Sequence, residues 1–256
     1  MKITKELLKE KGACAAGYRD FLKEYPVDKY PDGVEYQELL DCCAEKDFSY
    51  GSWLLGAFGK TDEVRKIDGD LIVEKGIIFA GRLEVKGCIK AGGGIEAGWG
   101  IDVGGGIEAG NGIKAGNGIK AGLGIKAGNG IKAGLGIKAG YGIEAGWGIE
   151  AGGGIEAGNG IKAGLGIKAG YGIEAGWGID AGNGIKAGNG IKAGLGIKAG
   201  WSIRAGDGIE AGDEFGIYAG LHFRITNKTQ RKIIAKERPE NIMCGEFEEK
   251  KDDAVR

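Results

Sequence analysis

The sequence predicts a mainly β protein whose middle, from about Leu71 to Asp213, is a triangular parallel β-solenoid. Two observations lead to this fold class. A six-residue unit, Ile-Lys/Glu-Ala-Gly-x-Gly, dominates this region, and isoleucine stands at every sixth position from Ile89 to Ile209. A short fixed period is typical of solenoids, in which each repeat buries its apolar face only by stacking on its neighbours. We expect a small helical module before the array and a β-hairpin cap after it.

Each hexad has the pattern of a short strand followed by a turn. Isoleucine and alanine lie two residues apart with a charged residue between them, so two side chains face the core and one faces solvent. The Gly-x-Gly triplet that follows predicts a turn, because glycine adopts positive φ and sharp corners without a clash of Cβ. A helix is excluded, since two glycines in every six residues would each cost it about 1 kcal/mol.

The charged residues indicate how many hexads form one coil. If three hexads, or 18 residues, make a coil, one column of charges alternates in sign, and opposite charges attract across rungs about 4.8 Å apart. That column is Lys90, Glu108, Lys126, Glu144, Lys162, Asp180 and Lys198. The array then forms about eight coils with a rise of about 38 Å. We expect Glu108 to lie within salt-bridge distance of Lys126, and Glu144 within that distance of Lys162.

The start of the array resembles a known family. The stretch GDLIVEKGIIFAGRLEVKGCIKAGGGIEAG, residues 69–98, resembles bactofilin-type polymer-forming β-helices. This resemblance covers the solenoid, and it implies a right-handed triangular coil and self-association. Left-handed hexapeptide-repeat solenoids of the acyltransferase kind are the alternative, so the handedness stays open.

Residues 1–66 differ in kind from the array and predict a helical module. ITKELLKEKG and ACAAGYRDFLKEY each predict a short amphipathic helix, and VEYQELLDCCAEKDFSYGSWLLGAF predicts a further one. Phrases such as ACAAGYRDFL are similar to N-terminal helical segments of bacterial and phage repeat proteins. We expect the module to cap the solenoid, because an open coil exposes its core and its strand edges. Binding of a partner is the alternative role.

The repeat register of the solenoid, residues 67–213, is lost in residues 214–256. LHFRIT and RKIIAKE predict two strands of a hairpin around the polar turn NKTQ. Basic residues gather in this cap, and Arg224, Arg231 and Lys232 are candidates for contact with an acidic partner. A solvated hairpin face is the alternative interpretation of the same residues.

The corner position x carries the main candidates for partner binding. A side chain flanked by two glycines at a corner should point outward, and exposed aromatic rings are typical of protein interfaces. These candidates are Trp99, Tyr141, Trp147, Tyr171, Trp177 and Trp201. Packing of each ring on the corners above and below is the alternative. The run from Asn129 to Trp147 recurs 30 residues later, which rotates the copy to another face of the triangle. A binding rod tolerates such a shuffle better than a catalytic face does.

The array has no residues suited to catalysis, and we expect neither an enzyme nor a cofactor or metal site. The single histidine, His222, lies beyond the array, whereas solenoid acyltransferases use a histidine base within the coils. One histidine and five scattered cysteines do not form a metal-ligand pattern. The Gly-x-Gly triplets are not followed by the helix that a nucleotide-binding loop requires.

The predicted function is therefore that of a rigid scaffold whose caps and aromatic corners bind a protein partner. The similarity of the N-terminal segment to phage proteins extends this hypothesis to a phage or mobile-element inhibitor of a host protein complex. The alternative is a self-assembling cytoskeletal polymer. Because capped ends oppose end-to-end growth, we expect a monomer or a small oligomer such as a homodimer.

The net charge limits which classes of partner the sequence predicts, and the cysteines indicate the cellular compartment. The 35 basic and 36 acidic residues leave a formal net charge of −1, which gives no indication of nucleic acid or of a membrane surface. The odd number of cysteines and the absence of an apolar leader predict a cytoplasmic protein with reduced thiols.

Overall fold

A computed structural model gives the structure of the chain and describes residues 1–212, 214–221 and 228–250. The candidate residue Arg224 lies outside the described residues, as do His222, Asp213 and most of the segment LHFRIT.

Three parallel sheets form the sides of a triangular solenoid, and we number them face 1, face 2 and face 3 in the order in which each coil visits them after Val64–Ile67. Face 1 consists of Leu71–Val73, Ile89–Ala91, Ile107–Ala109, Ile125–Ala127, Ile143–Ala145, Ile161–Ala163, Ile179–Ala181, Ile197–Ala199, Ile217–Ala219 and Ile242–Cys244. Face 2 consists of Ile77–Phe79, Ile95–Ala97, Ile113–Ala115, Ile131–Ala133, Ile149–Ala151, Ile167–Ala169, Ile185–Ala187, Ile203–Arg204, Lys232–Ala235 and Glu246–Glu249. Face 3 consists of Val64–Ile67, Arg82–Val85, Ile101–Val103, Ile119–Ala121, Ile137–Ala139, Ile155–Ala157, Ile173–Ala175, Ile191–Ala193 and Ile209–Glu210.

The register confirms three hexads per coil. Ile125 pairs in parallel with Ile107 on one side and with Ile143 on the other, and the same 18-residue step holds throughout the array. The sheets have ten, ten and nine strands, so the solenoid makes about ten turns rather than eight, because less regular segments at both ends also join the sheets. Nine steps of about 4.8 Å make the rod about 43 Å long.

The core is a stack of inward isoleucine and alanine side chains. Ile149, in the middle, is 1% exposed, and Ala151 on the same strand is 2% exposed. The charged residue between them faces outward, which is the alternation that the sequence predicts.

The corner glycines are required for a different reason from the one expected. Among the described residues, positive φ occurs only at glycines outside the Gly-x-Gly triplets of the array. The first glycine of a triplet instead lies directly against the backbone of the previous coil. A Cβ on Gly146 would lie 2.0 Å from the carbonyl oxygen of Gly128, a distance at which the backbone has to move. Close approach of stacked corners, not backbone conformation, therefore selects this glycine.

The N-terminal module contains a two-stranded antiparallel sheet and four helices. The strands are Lys2–Ile3 and Val34–Glu35, and the helices are Lys5–Glu10, Ala15–Glu24, Tyr36–Lys46 and Phe48–Phe58. The last two helices replace the single helix expected from the sequence. Asp47 has an extended backbone between them, and its carboxylate accepts a hydrogen bond from the amide of Ser49 as an N-cap. Within the described ranges, no helix combines the length and apolar character needed to cross a bilayer.

The C-terminal segment continues the solenoid. Lys232–Ala235, expected as the second hairpin strand, pairs in parallel with Ile203–Arg204 and then with Glu246–Glu249. Ile242–Cys244 likewise pairs in parallel with Ile217–Ala219. The expectation of a hairpin was wrong for this strand, because the inward residues Ile233 and Ala235 bury their side chains on the open core of the last regular coil.

Candidate protein-binding surface

The corner side chains lie along three edges of the rod. Edge 1/2, between face 1 and face 2, carries Asn111, Asn129, Trp147, Leu165, Asn183 and Trp201. Edge 2/3 carries Trp99, Asn117, Leu135, Gly153, Tyr171 and Asn189, and edge 3/1 carries Gly105, Leu123, Tyr141, Asn159, Trp177 and Leu195. The amide of each corner residue donates to the carbonyl of the corner one coil earlier, for example Trp147 to Asn129 at 3.2 Å. Each edge is thus a fixed ladder of side chains at the spacing of the coils.

The structure places the six predicted aromatic residues on the surface, two on each edge, so they do not form one patch. Tyr141, Trp147, Tyr171 and Trp177 are 57% to 65% exposed, and Trp201 is 40% exposed. The 30-residue offset explains this distribution, because it moves the copied pattern by one and two-thirds coils and therefore onto different edges.

Trp99 differs from the other five aromatic residues. The ammonium group of Lys60 lies 3.0 Å from the centre of its ring, and the ring is partly buried. A cation over the face of an indole is attracted to it. Trp99 therefore holds the segment that joins the helical module to the solenoid, in addition to any contact that it offers to a partner.

The two described basic candidates of the C-terminal segment are paired within the chain. Arg231 forms an ion pair with Glu246, and Lys232 forms one with Glu248 on the next coil. Both carboxylates come from the last strand of face 2, which the sequence did not reveal because that strand is irregular. These pairs neutralise Arg231 and Lys232, whereas Arg224, the third candidate, lies outside the described residues.

The outward charges of face 1 have the predicted order. Glu108 stands in register with Lys126, and Glu144 stands in register with Lys162. Lys90 and Glu108 form an ion pair at 3.7 Å. The two expected pairs, Glu108–Lys126 and Glu144–Lys162, are vertical neighbours, but neither comes within 4.0 Å in the part of the chain that the structure describes, so the expectation of salt-bridge distance was wrong. Exposed ion pairs gain little over hydration and lose side-chain entropy, so register alone does not close them.

On face 2, where the charges do not alternate regularly, some vertical neighbours form closed ion pairs. Glu150 lies between Lys168, at 2.9 Å, and Lys132, at 3.2 Å. The hydrogen bond from Lys168, followed by the one from Lys132, lowers the pKa of Glu150 below its usual range.

The helical module packs on the outer side of face 2 at its first two coils. The outward residue of the first coil is Ile78, which is fully buried against the module, and the Cβ position of Gly51 points at its side chain. The amide of Gln37 donates to the carbonyl of Ile78 at 2.8 Å and its oxygen accepts from Ala80. In the second coil, buried Glu96 accepts hydrogen bonds from Ser52 and, at 2.5 Å, from Lys114.

Sequence reasoning missed this contact, although one signal was present. The outward position of a strand holds a charged residue throughout the regular array, whereas in the first coil it holds Ile72 on face 1 and Ile78 on face 2. An apolar residue at an outward position predicts a covering element. The module covers Ile78 and leaves Ile72 70% exposed.

A cavity of about 640 Å³ lies inside the helical module, lined by residues that include Cys14, Tyr25, Cys42, Cys43 and Tyr50. Burial raises the pKa of Cys43 to about 12. Burial, together with a hydrogen bond to Cys42, also raises the pKa of Tyr25 above its usual value. The lining also includes Asp20, Lys23, Glu24, Lys46 and Asp47, so the cavity has both apolar and charged walls.

Comparison with known proteins gives no relative from which a role could be transferred. No family model matches the chain, and neither a curated protein nor a solved structure is significantly similar to it.

Proposed function

We propose that the protein is a non-enzymatic scaffold, a rigid solenoid that presents corner side chains to a protein partner. The observation that carries this proposal is the exposure of large aromatic side chains on fixed backbone ladders, such as Trp147 at 59% and Tyr171 at 65%. Exposed rings held at a regular spacing provide contact area with little loss of conformational entropy on binding.

Each edge carries both large rings and smaller side chains, and this mixture supports the same proposal. Asparagine occupies corner positions one coil away from tryptophan, so the fold itself does not require a large ring at these places. Rings that the fold does not require at these corners are available for a contact outside the chain, and Tyr and Trp are enriched at interfaces. Inhibition of a host complex by a phage or mobile-element protein is the narrower form of this proposal.

Affinity capture with a matched variant tests the proposal. The variant carries Trp147→Asn, Tyr171→Asn and Trp177→Asn, one change on each edge, and asparagine is the residue that the chain itself uses at corners. We expect a partner captured from a host lysate by the wild-type chain to be lost at least about tenfold with the variant, because aromatic anchors dominate interface energies.

The control for this experiment is that the variant folds as the wild type does. The variant must keep the circular dichroism spectrum and unfolding temperature of the wild type, so that a loss of capture reports on the surface. Equal capture by both chains would place the binding site elsewhere. Catalytic turnover of a small molecule by the purified chain would contradict the scaffold function.

A further inference from the structure

The ten outward residues of face 1 have a symmetry of their own. In chain order they are Ile72, Lys90, Glu108, Lys126, Glu144, Lys162, Asp180, Lys198, Tyr218 and Met243. Seven alternating charges therefore lie between one apolar residue, Ile72, at the first end of the face and two uncharged residues, Tyr218 and Met243, at the other. Ile72 and Met243, at the two ends, are 70% and 66% exposed.

We propose that face 1 binds a second copy of this chain in an antiparallel, two-fold symmetric dimer. The two-fold axis would run across face 1, midway between the coils of Glu144 and Lys162, so that each coil n of one copy meets coil 11 − n of the other. A two-fold contact uses the same patch on both copies. The dimer would use Tyr141, Trp147 and Trp177, which the proposed function assigns to a partner, so the experiments below separate the two.

Charge complementarity selects this arrangement. Under the symmetry, Glu144 of one copy meets Lys162 of the other, Lys126 meets Asp180, and Glu108 meets Lys198. Every contact in the charged part of the face therefore joins opposite signs, and each occurs twice. A parallel dimer, with the axis along the rod, would instead place each charge against its own equivalent, and like charges in contact are strongly unfavourable.

The ends of the face agree with the same axis. Lys90 meets the ring of Tyr218, which is a favourable cation–π arrangement. Ile72 meets Met243, so the two most exposed apolar side chains of face 1 cover each other. No shift by one coil preserves these end contacts together with the charge pairs.

The corners on both sides of face 1 are complementary in size. An axis across the face keeps each edge opposite the same edge of the second copy. On edge 3/1, Tyr141 then meets Asn159 and Leu123 meets Trp177, so large rings face smaller residues. On edge 1/2, Trp147 meets Leu165, which places an apolar contact beside the axis.

The area is sufficient for a specific contact. A face about 43 Å long and about 15 Å wide buries about 650 Å² per copy, or about 1,300 Å² in total, which lies within the range of stable interfaces. The tryptophans and leucines at the borders supply apolar area, and the charges fix direction and register.

The other two faces fit less well. On face 2 the equivalent axis places Lys132 against Lys186, and the helical module occupies its first coils. On face 3 the axis that pairs Lys138 with Glu156 places Glu84 against Glu210 at the ends.

Charge reversal and its compensation test the dimer. We expect sedimentation of the full chain at about 100 μM, above the Kd of weak interfaces of this size, to give twice the chain mass of 26.5 kDa. Glu144→Lys places lysine against Lys162 twice per dimer and should weaken association at least about tenfold. The double variant Glu144→Lys with Lys162→Glu restores opposite charges and should recover the dimer.

Matched controls separate this face from the others. Glu174→Lys makes the same change on face 3, at an exposed carboxylate that, like Glu144, has no ion pair among the described residues. It should leave the dimer intact, as should Tyr171→Asn on edge 2/3, whereas Trp147→Asn should weaken it. Circular dichroism of each variant establishes that the solenoid is folded.

Several outcomes would overturn the inference. These are a monomeric wild type, a dimer lost with Glu174→Lys but kept with Glu144→Lys, failure of the double variant to recover association, and a mass that grows without limit as in a polymer. The folded monomer made by Glu144→Lys keeps all corner aromatics, so capture of a partner by that variant tests the proposed function separately.

Discussion

Single residues of the hexad differ in the direction that the backbone gives them. The inward Ile149 is 1% exposed, whereas the corner residue Leu135 is 58% exposed, although both are large and aliphatic. The physical consequence of a substitution should follow position rather than residue type.

Replacing each with aspartate gives the clearest contrast. Ile149→Asp removes a buried side chain and places an unpaired carboxylate in an apolar stack, and we expect a loss of more than about 4 kcal/mol in the free energy of unfolding. Leu135→Asp should change it by less than about 0.5 kcal/mol, since Asp207 already occupies a corner of the same edge. Thermal unfolding followed by circular dichroism measures both. A folded, unperturbed Ile149→Asp protein would contradict the stacked core.

Within the hexad as a structural element, the two glycines of each corner are not equivalent. A Cβ on the first glycine, such as Gly146, collides with the backbone of the previous coil at 2.0 Å. A Cβ on the second, Gly148, would lie 3.2 Å from the carbonyl oxygen of Gly166, which is tight but close to contact distance. The chain confirms this tolerance itself, because Ser202 occupies a second-glycine position.

Alanine scanning distinguishes the two glycines. Gly146→Ala forces two coils apart and should lower the free energy of unfolding by about 1–3 kcal/mol, which is the usual range for overpacking. Gly148→Ala should cost clearly less. Chemical denaturation of both variants checks the difference. Equal destabilisation by the two would show that the corner is limited by conformation rather than by close approach.

At the scale of the whole molecule, the contact between the helical module and the solenoid includes one apolar outward residue of face 2. Ile78 is covered by the module, and Ile72, at the same position of the same coil on face 1, is exposed. The last strand, Glu246–Glu249, carries a carboxylate at three of its four positions, which discourages pairing with a further coil of another copy.

A lysine at each of these isoleucine positions tests how the module is held. Ile78→Lys supplies the kind of residue that regular coils carry there, and burying its charge under the module is unfavourable, so the module should detach while the solenoid stays folded. Limited proteolysis should then cleave residues 1–60 at least about tenfold faster, because cleavage follows the population of the open form. Ile72→Lys should leave the cleavage rate unchanged. Unfolding of the solenoid by Ile78→Lys would mean that the module is part of one cooperative core.

Much of the architecture could be predicted because the repeat fixes it locally. Period-two alternation, the corner glycines and the alternating column from Lys90 to Lys198 lead to strand, turn and coil size in that order. The sequence predicted about eight coils, whereas the structure has about ten. The additional strands, such as Val64–Ile67 and Lys232–Ala235, lack the hexad pattern and join the sheets through backbone pairing.

The sequence by itself determined the solenoid, its 18-residue coil, its isoleucine core and the outward direction of the aromatic corners, because each of these follows from neighbours within one hexad or from a strict period. Only the tertiary structure decided that Glu246 and Glu248 neutralise Arg231 and Lys232, and that the module lies on face 2. Those contacts join residues far apart in the chain and outside the repeat. They depend on how irregular segments return to the rod, which no local pattern specifies.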